Sequence, residues 1–382
     1  MINTTAERMN IQSSGLRRLS TACDPAVDLW LGHDIADLMP QKLAEHEYDQ
    51  VIIVSSEAVR GYVDRLRKVL ASGDSQVPEA ITIPDGESNK NWRTLHSLLE
   101  DLIQAGCTKN SIIIGVGGGV VSNVTGLAAT LIYRGVRFVE VPTTLLNLTD
   151  GAMSNKQAVN GDYGKNQFGV YRAPIFVWGD TSYLATEPVE QWRSGVVEAI
   201  KNGLIDDADW FSHLEEILTP DLACFRDQPV EFCSDIIVSK ARILEKDPGE
   251  RGRCMVLEYG HTVGHAVEFL THGRLLHGMA VGVGMCAAAR IGAHLGITDA
   301  SVLPRQQSIL VNGLGCPIDL PTDCPPSAIA NIIRTDNKRR GRTNARMIFV
   351  NTVGQVHEVD DEVEVTVPHS LFVEVLSQNT RP

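Results

Sequence analysis

The stretch "SIIIGVGGGVVSNVTGLAATLI" (residues 111–132) restricts the fold more than any other part of the chain. It begins as an unbroken apolar run with no polar residue at alternate positions. A strand with one wet face alternates, so this run reads as a strand covered on both faces, as in a parallel sheet flanked by helices. It ends in Gly115, Gly117, Gly118 and Gly119 and continues at helical spacing. Strand, glycine turn and helix in that order make one half of a βαβ unit.

The same alternation recurs nearby. "YDQVIIVSSEAV" (48–59) is a second apolar strand, and "EAITIPDGESNKNW" (79–92) is a third that runs into a polar turn. "RTLHSLLEDLIQA" (93–105) has apolar positions at helical spacing and stops at Gly106, and "VRFVEVPTTLL" (136–146) is a further strand. The first half is therefore expected to be a doubly wound α/β domain, over 1–185, with residues 1–20 a polar and disordered lead-in. Beyond residue 185 the texture is helical, with helices expected over 188–205, 207–218, 229–246, 254–270, 277–296 and 303–314. β-branched runs return only near 346–350, so 186–382 is expected to be a mainly α-helical second domain.

Charge narrows the partners. Lys and Arg total 34 against 47 Asp and Glu, a formal net charge of −13, which disfavours nucleic acid and anionic membranes. A local lysine cluster still allows a small anionic substrate. The eight cysteines are scattered without a C-x-x-C, and no signal-length apolar segment starts the chain, so a reducing cytoplasm is expected.

The glycine turn admits two readings: a tight turn, or a seat for a pyrophosphate at the helix N-terminus. Glu87 and Lys90, in the turn "PDGESNK" (84–90), are candidates for ribose or phosphate, or else ordinary solvated turn residues.

A second constellation lies in the helical half. "LEYGHTVGHAVE" (257–268) places His261 and His265 four apart on one helix face. It is not the zinc-protease pattern H-E-x-x-H, because Thr262 follows the first histidine. His277 opens the next helix in "LLHGMAVGVGM", and Glu198 lies in "SGVVEAIKNGL" beside Lys201 at i+3. One carboxylate and two histidines from three helices would make an open divalent-metal site with a position left for substrate. Zinc and cobalt suit such a set equally. Lys156, Lys165, Lys201, Lys240 and Lys338, with Asn166 and Arg134, could form a phosphate pocket; each taken alone is an ordinary surface charge.

As a set, "GVGGGVVSN", "IYRG", "VPTTLL", "KQAVN", "GKNQFG", "VVEAIKNGLI", "EYGHTVGHAVE", "HGMAVGVGM" and "DNKR" resemble the sugar phosphate cyclase superfamily, typified by 3-dehydroquinate synthase. The resemblance runs from about residue 84 to 340. It implies an NAD-binding α/β domain, a helical metal- and substrate-binding domain, and a homodimer. Carried over position by position, it implies Glu198, His261 and His277 as metal ligands. Lys156, Asn166, Lys201, His265 and Lys338 match groups around the substrate phosphate, with Arg134 supplied by the partner subunit. Asp150, Lys165, Lys240 and Glu250 match further substrate-site residues. Gly117, Gly118, Gly119, Thr143, Thr144, Glu87 and Lys90 match NAD contacts.

Two departures bear on the substrate. Cys254 stands where dehydroquinate synthases carry an arginine for the substrate carboxylate, and Glu258 stands where they carry asparagine. Glu258, the "KQAVN" segment and Asn123 are similar to the 2-deoxy-scyllo-inosose synthase branch. That branch implies glucose 6-phosphate as substrate and a sequence of transient oxidation by NAD, β-elimination of phosphate, re-reduction and intramolecular aldol closure. A sedoheptulose 7-phosphate cyclase and a metal-dependent polyol dehydrogenase are the other readings. Ser56 stands where relatives often carry an aspartate for the adenosine ribose, and Glu57 is the nearest substitute.

Overall fold

The computed structural model describes residues 15–71, 77–162, 164–249, 252–333 and 345–378. They form two compact units. The first holds the described residues up to Asn160 together with Phe168–Glu187 and Pro229–Ile237, and the second holds Gly161–Gln167, Pro188–Gln228 and Val238 onward.

The strands of the first half are β1 (Arg17–Ser20), β2 (Asp28–Gly32), β3 (Val51–Ser56), β4 (Glu79–Ile83), β5 (Ile112–Gly117), β6 (Arg137–Pro142), β7 (Lys156–Gly161), β8 (Gly164–Tyr171) and β9 (Val177–Asp180). Seven of them form one sheet in the order β1-β2-β9-β6-β5-β3-β4, and β7 and β8 make a separate ladder. Every pair in the large sheet is parallel except β1 with β2. All six residues of β3 and of β5 are buried, as unbroken apolar runs require. Their side chains alternate between two cores. Ile52, Val54 and Ile113 meet Leu95, Leu98, Val124 and Leu127 on one face. Ile53, Ile112 and Ile114 meet Met39, Leu43, Val63 and Leu66 on the other. The sheet is thus covered on both sides.

The strand order positions a site. From β3 the chain steps outward to β4, then returns to the opposite side of β3 to lay down β5. Neighbouring crossovers diverge there, leaving a crevice at the carboxyl ends of β3 and β5, where doubly wound sheets bind ligands. β5 ends at Gly117, so the glycine turn opens into that crevice.

Two expectations change. Arg17–Ser20 is a strand and not a disordered lead-in. It pairs antiparallel with β2 through Arg17↔Leu31 to Ser20↔Asp28, and Arg18 grips Asp28 with two hydrogen bonds of 2.9 and 2.8 Å. Residues 1–14 lie outside the described residues. The helix expected over 254–270 begins only at His261, after a 3-10 segment, Arg253–Glu258, and a break at Gly260.

The second unit is mainly helical. It includes Val189–Asp206, Ala208–Ile217, His261–Leu270, His277–His294, Val302–Ser308, Pro326–Ile333 and His369–Ser377. A π-turn, Ile309–Gly313, finishes the segment expected as helix over 303–314. Two small antiparallel ladders account for the β-branched residues near 346–350: Ala345–Ile348 with Glu364–Val367, and Val350–Thr352 with Gln355–Val356. No helix among the described residues is long and apolar enough to cross a membrane.

Candidate metal and cofactor sites

Three helices of the second unit converge because their glycines let backbones touch. Gly260 has φ +80°, a left-handed conformation that turns the 3-10 segment into the helix beginning at His261. A side chain there would also strike Met285 and the Val281 carbonyl, with contacts of 2.5 and 2.9 Å. At Gly278 a β-carbon would fall 1.9 Å from the Ser194 carbonyl oxygen, and the Gly278 amide donates to Ser194 Oγ at 2.8 Å. The helices carrying His261, His277 and Glu198 are thereby locked at backbone distance.

That packing focuses the side chains. Glu198 is 1% exposed. Its Oε2 accepts from the buried ammonium of Lys201, one turn along the same helix. Its Oε1 has no hydrogen-bond partner. This orphaned oxygen lies 3.7 Å from His261 Nε2 and 3.6 Å from His277 Nε2. Those separations suit donors sharing one ion at bonds of about 2.1 Å. A buried carboxylate oxygen without a donor is costly, and a divalent cation is the group that satisfies it.

The outer ring nitrogens are already committed. His261 Nδ1 is 3.2 Å from the Tyr259 carbonyl oxygen, and His277 Nδ1 is 2.9 Å from Glu268 Oε2. With Nδ1–H donating outward in both rings, each Nε2 presents a lone pair to the shared point. His265 completes the cluster: its ligand nitrogen and those of His261 and His277 lie within 4.8 Å of one another.

Glu268 was not among the residues the sequence singled out. Its other oxygen accepts from Lys165. Burial alone would raise its carboxyl; Lys165, His277 and His265 outweigh that and hold it well below the ordinary carboxylate range. Burial likewise opposes charge on His277, but Glu268 and Glu198 keep its pKa above the ordinary histidine value. Cation binding at this nitrogen therefore competes with a proton. The signal for Glu268 was present: 261, 265 and 268 follow i, i+4, i+7 on one face. Glu268→Gln is expected to weaken divalent-cation affinity ~10–100-fold, measured by competition with a chromophoric chelator, because an amide is a poorer acceptor for His277.

The other candidates of this unit fall at mixed positions. Lys201 and Lys240 are buried, and Lys165 is partly buried. Asn166 sits at φ +51°, a strained conformation for a non-glycine residue and one that functional sites tolerate. Glu258 is half-buried at the end of the 3-10 segment, two residues before Gly260. Cys254 points inward: it is buried, and its thiol donates to the Ile243 carbonyl at 3.4 Å. Glu250 and Lys338 lie outside the described residues.

In the first unit the glycine turn is closed from below and open above. A β-carbon on Gly117 would overlap Val121 at 2.5 Å, whereas one on Gly119 would meet nothing within 4 Å. Gly118 is the N-cap of helix Gly119–Leu131, whose first amides face that opening. The Thr143 amide and Asn147 Nδ2 both donate to the Gly117 carbonyl, at 3.0 and 3.1 Å, which brings the Thr143–Thr144 loop alongside. Thr144 caps the next helix, and both oxygens of Glu187 accept from the Leu145 amide, at 3.2 and 3.0 Å. Asn147 and Glu187 are further residues the sequence did not flag. Glu87 accepts from Asn160 Nδ2 at 2.9 Å, and the Lys90 carbonyl accepts from the Asn160 amide at 2.8 Å.

Asn123 is engaged by backbone at both ends, donating to Gly119 O at 3.0 Å and accepting from the Ala158 amide at 3.1 Å. That makes it a tie between the helix and β7. Glu57 is occupied by Arg60 at 3.1 Å, and Ser56 is buried. Asp150 is half-buried after helix Leu145–Thr149, and Lys156 is exposed at the start of β7. Arg134 is exposed at φ +67°, following Tyr133 at φ +50°.

Comparisons with known proteins show the family and the fold. The N-terminal domain of 3-dehydroquinate synthase matches residues 80–194, and its C-terminal domain matches 195–339. The chain is 36% identical over 357 residues to the 2-deoxy-scyllo-inosose synthase of Streptomyces kanamyceticus, covering 92% of this chain and 91% of that one. It is 33% identical over 369 residues to the 3-dehydroquinate synthase of Nitrosospira multiformis, covering 95% and 97%. A crystal structure of 2-deoxy-scyllo-inosose synthase complexed with carbaglucose-6-phosphate, NAD+ and Co2+ superposes with a TM-score of 0.85 at 29% identity, covering 96% of this chain and all (100%) of that one. The chain belongs to the 3-dehydroquinate synthase family.

Proposed function

We propose that the chain is a sugar phosphate cyclase of the 2-deoxy-scyllo-inosose synthase type, converting glucose 6-phosphate to 2-deoxy-scyllo-inosose and phosphate. The observation that carries the chemistry is the orphaned Glu198 Oε1 held 3.6–3.7 Å from two histidine Nε2 atoms. The relatives supply the class: the first four curated matches are 2-deoxy-scyllo-inosose synthases, at 31–36% identity.

Each part of the chain has a task. Glu198, His261 and His277 would hold zinc or cobalt, and the turn Gly117–Gly119 with Thr143 and Thr144 would hold NAD. Bound there, the metal would supply Lewis-acid polarisation of a sugar hydroxyl, and NAD would supply reversible hydride uptake. Lys201 donates to Glu198 and Lys165 to Glu268, which fixes the two carboxylates in place. His265, Asn166, Lys156 and Lys338 would bind the phosphate and stabilise the charge that develops as it leaves. Glu258 would accept from a sugar hydroxyl.

Cys254 favours a neutral sugar over the carboxylated substrate of dehydroquinate synthases. Its thiol is turned into the protein, so that position offers no cation to a substrate carboxylate. A homodimer with Arg134 completing the partner's pocket, a cytoplasmic location and a role in aminoglycoside antibiotic biosynthesis accompany this reading.

The test is phosphate release from glucose 6-phosphate with catalytic NAD+ and a divalent metal. Turnover without accumulation of NADH is the expected result. Turnover of the seven-carbon 3-deoxyheptulosonate phosphate with none of glucose 6-phosphate would make the chain a 3-dehydroquinate synthase instead.

A further inference from the structure

A carboxyl group lies in the middle of the large sheet, where the doubly wound fold has no use for one. Glu140 on β6 is 2% exposed, and its strand neighbours are Gly115 of β5 and Val177 of β9. Gln157 Nε2 donates to its Oε1 at 2.9 Å. Gln157 belongs to β7, outside that sheet, and is 1% exposed. The glutamine is wedged against helix Gly119–Leu131: a β-carbon on Gly126 would lie 2.3 Å from its Oε1. Burial pushes the Glu140 carboxyl up to about 7, against the pull of the Gln157 hydrogen bond. Two apolar residues would fill this space at lower cost, so the pair needs another reason to exist.

The attachments of β7 give that reason. Lys156, its first residue, is exposed, and Gln157 beside it is anchored to Glu140. The Ala158 amide donates to Asn123 Oδ1 at 3.1 Å, and the Asn160 amide donates to Lys90 O at 2.8 Å. Asn160 Nδ2 reaches Glu87 at 2.9 Å. β7 is therefore stitched to the helix after the glycine turn and to the Glu87–Lys90 turn. A buried side-chain hydrogen bond, Gln157 to Glu140, ties it into the large sheet.

We infer that Glu140 and Gln157 are positioning residues: a buried strut that fixes β7 on the sheet and so sets where Lys156 stands relative to the Glu87–Lys90 turn and to Asn123 of helix Gly119–Leu131. The strut neither touches substrate nor carries charge to it. A hydrogen bond can hold a strand at one register and depth, whereas an apolar pair fixes neither as narrowly. The consequence for KM rests on the proposed role of Lys156 in binding the substrate phosphate; the consequence for β7 itself does not.

Two readouts on the full-length protein separate these. Hydrogen exchange followed by mass spectrometry reads β7 directly, and steady-state phosphate release reads Lys156. Gln157→Leu should raise exchange in peptides covering 156–161 and raise KM for glucose 6-phosphate roughly tenfold or more, with a smaller change in kcat. Glu140→Gln keeps an amide partner for Gln157 and should preserve both readouts. The exchanged pair Glu140→Gln with Gln157→Glu should recover most of what Gln157→Leu loses. If Gln157→Leu folds with unchanged exchange and unchanged KM, or if Glu140→Gln is as damaging as Gln157→Leu, the strut is refuted. Raised exchange in β7 with unchanged KM would keep the strut and remove Lys156 from the phosphate site.

Discussion

Glu198→Gln is expected to abolish phosphate release and to lower divalent-cation affinity at least ~100-fold, because it removes the carboxylate oxygen that lies 3.7 and 3.6 Å from the Nε2 atoms of His261 and His277. Isothermal titration of the apoprotein with Zn2+ or Co2+ measures the affinity. The structure adds a consequence that a plain ligand deletion lacks. Glu198 also neutralises Lys201, and both side chains are almost fully buried, at 1% and 2% exposure. An amide takes this carboxylate charge away from the ammonium, and breaking a buried pair on one side costs about 3 kcal/mol or more. The variant should therefore melt earlier. Adding Lys201→Met to Glu198→Gln should restore thermal stability without restoring cation binding. Full activity of Glu198→Gln in excess chelator would remove the metal from the mechanism.

The parts of the fold that were legible in the sequence are those set by continuous burial. "VIIV" and "IIIGVG" are apolar at every position because helices cover both faces, and they emerged as β3 and β5. β1 was not legible: its four residues, Arg-Arg-Leu-Ser, alternate between partial and full exposure, and pairing with β2 defines them. The β7–β8 ladder was hidden for a related reason, since "KQAVNG" carries polar residues whose buried partners are distant in sequence. The start of the histidine helix was misplaced because Gly260 interrupts an apolar pattern that otherwise continues through 254–270. In the site, spacing brought out Glu198, His261 and His277. It did not bring out Glu268, because an acid after a histidine pair also fits a solvated helix face, and only the approach of His277 and Lys165 distinguishes the two.

Glu258→Gln should lower kcat/KM for glucose 6-phosphate by about 100-fold while leaving cation affinity within a factor of about two. Removing a charged acceptor from a substrate hydroxyl in a water-poor site costs roughly 2–3 kcal/mol. Glu258 lies three residues before His261, at the end of the 3-10 segment that Gly260 turns into the metal helix, so its backbone position is fixed by the same glycine. The neighbouring departure behaves differently. Cys254 is buried with its thiol on the Ile243 carbonyl and its amide on Asp247 at 2.9 Å, so it occupies a packed position. Cys254→Arg would force a long cation into that space, and the expected result is lost stability with no gain of activity toward a carboxylated substrate. Glu258→Asn, by contrast, removes the negative charge without overpacking and should relax discrimination against that substrate. Steady-state kinetics with glucose 6-phosphate and 3-deoxyheptulosonate phosphate decide it. If Glu258→Gln leaves the glucose 6-phosphate constants unchanged, selectivity for the neutral sugar resides elsewhere in the pocket.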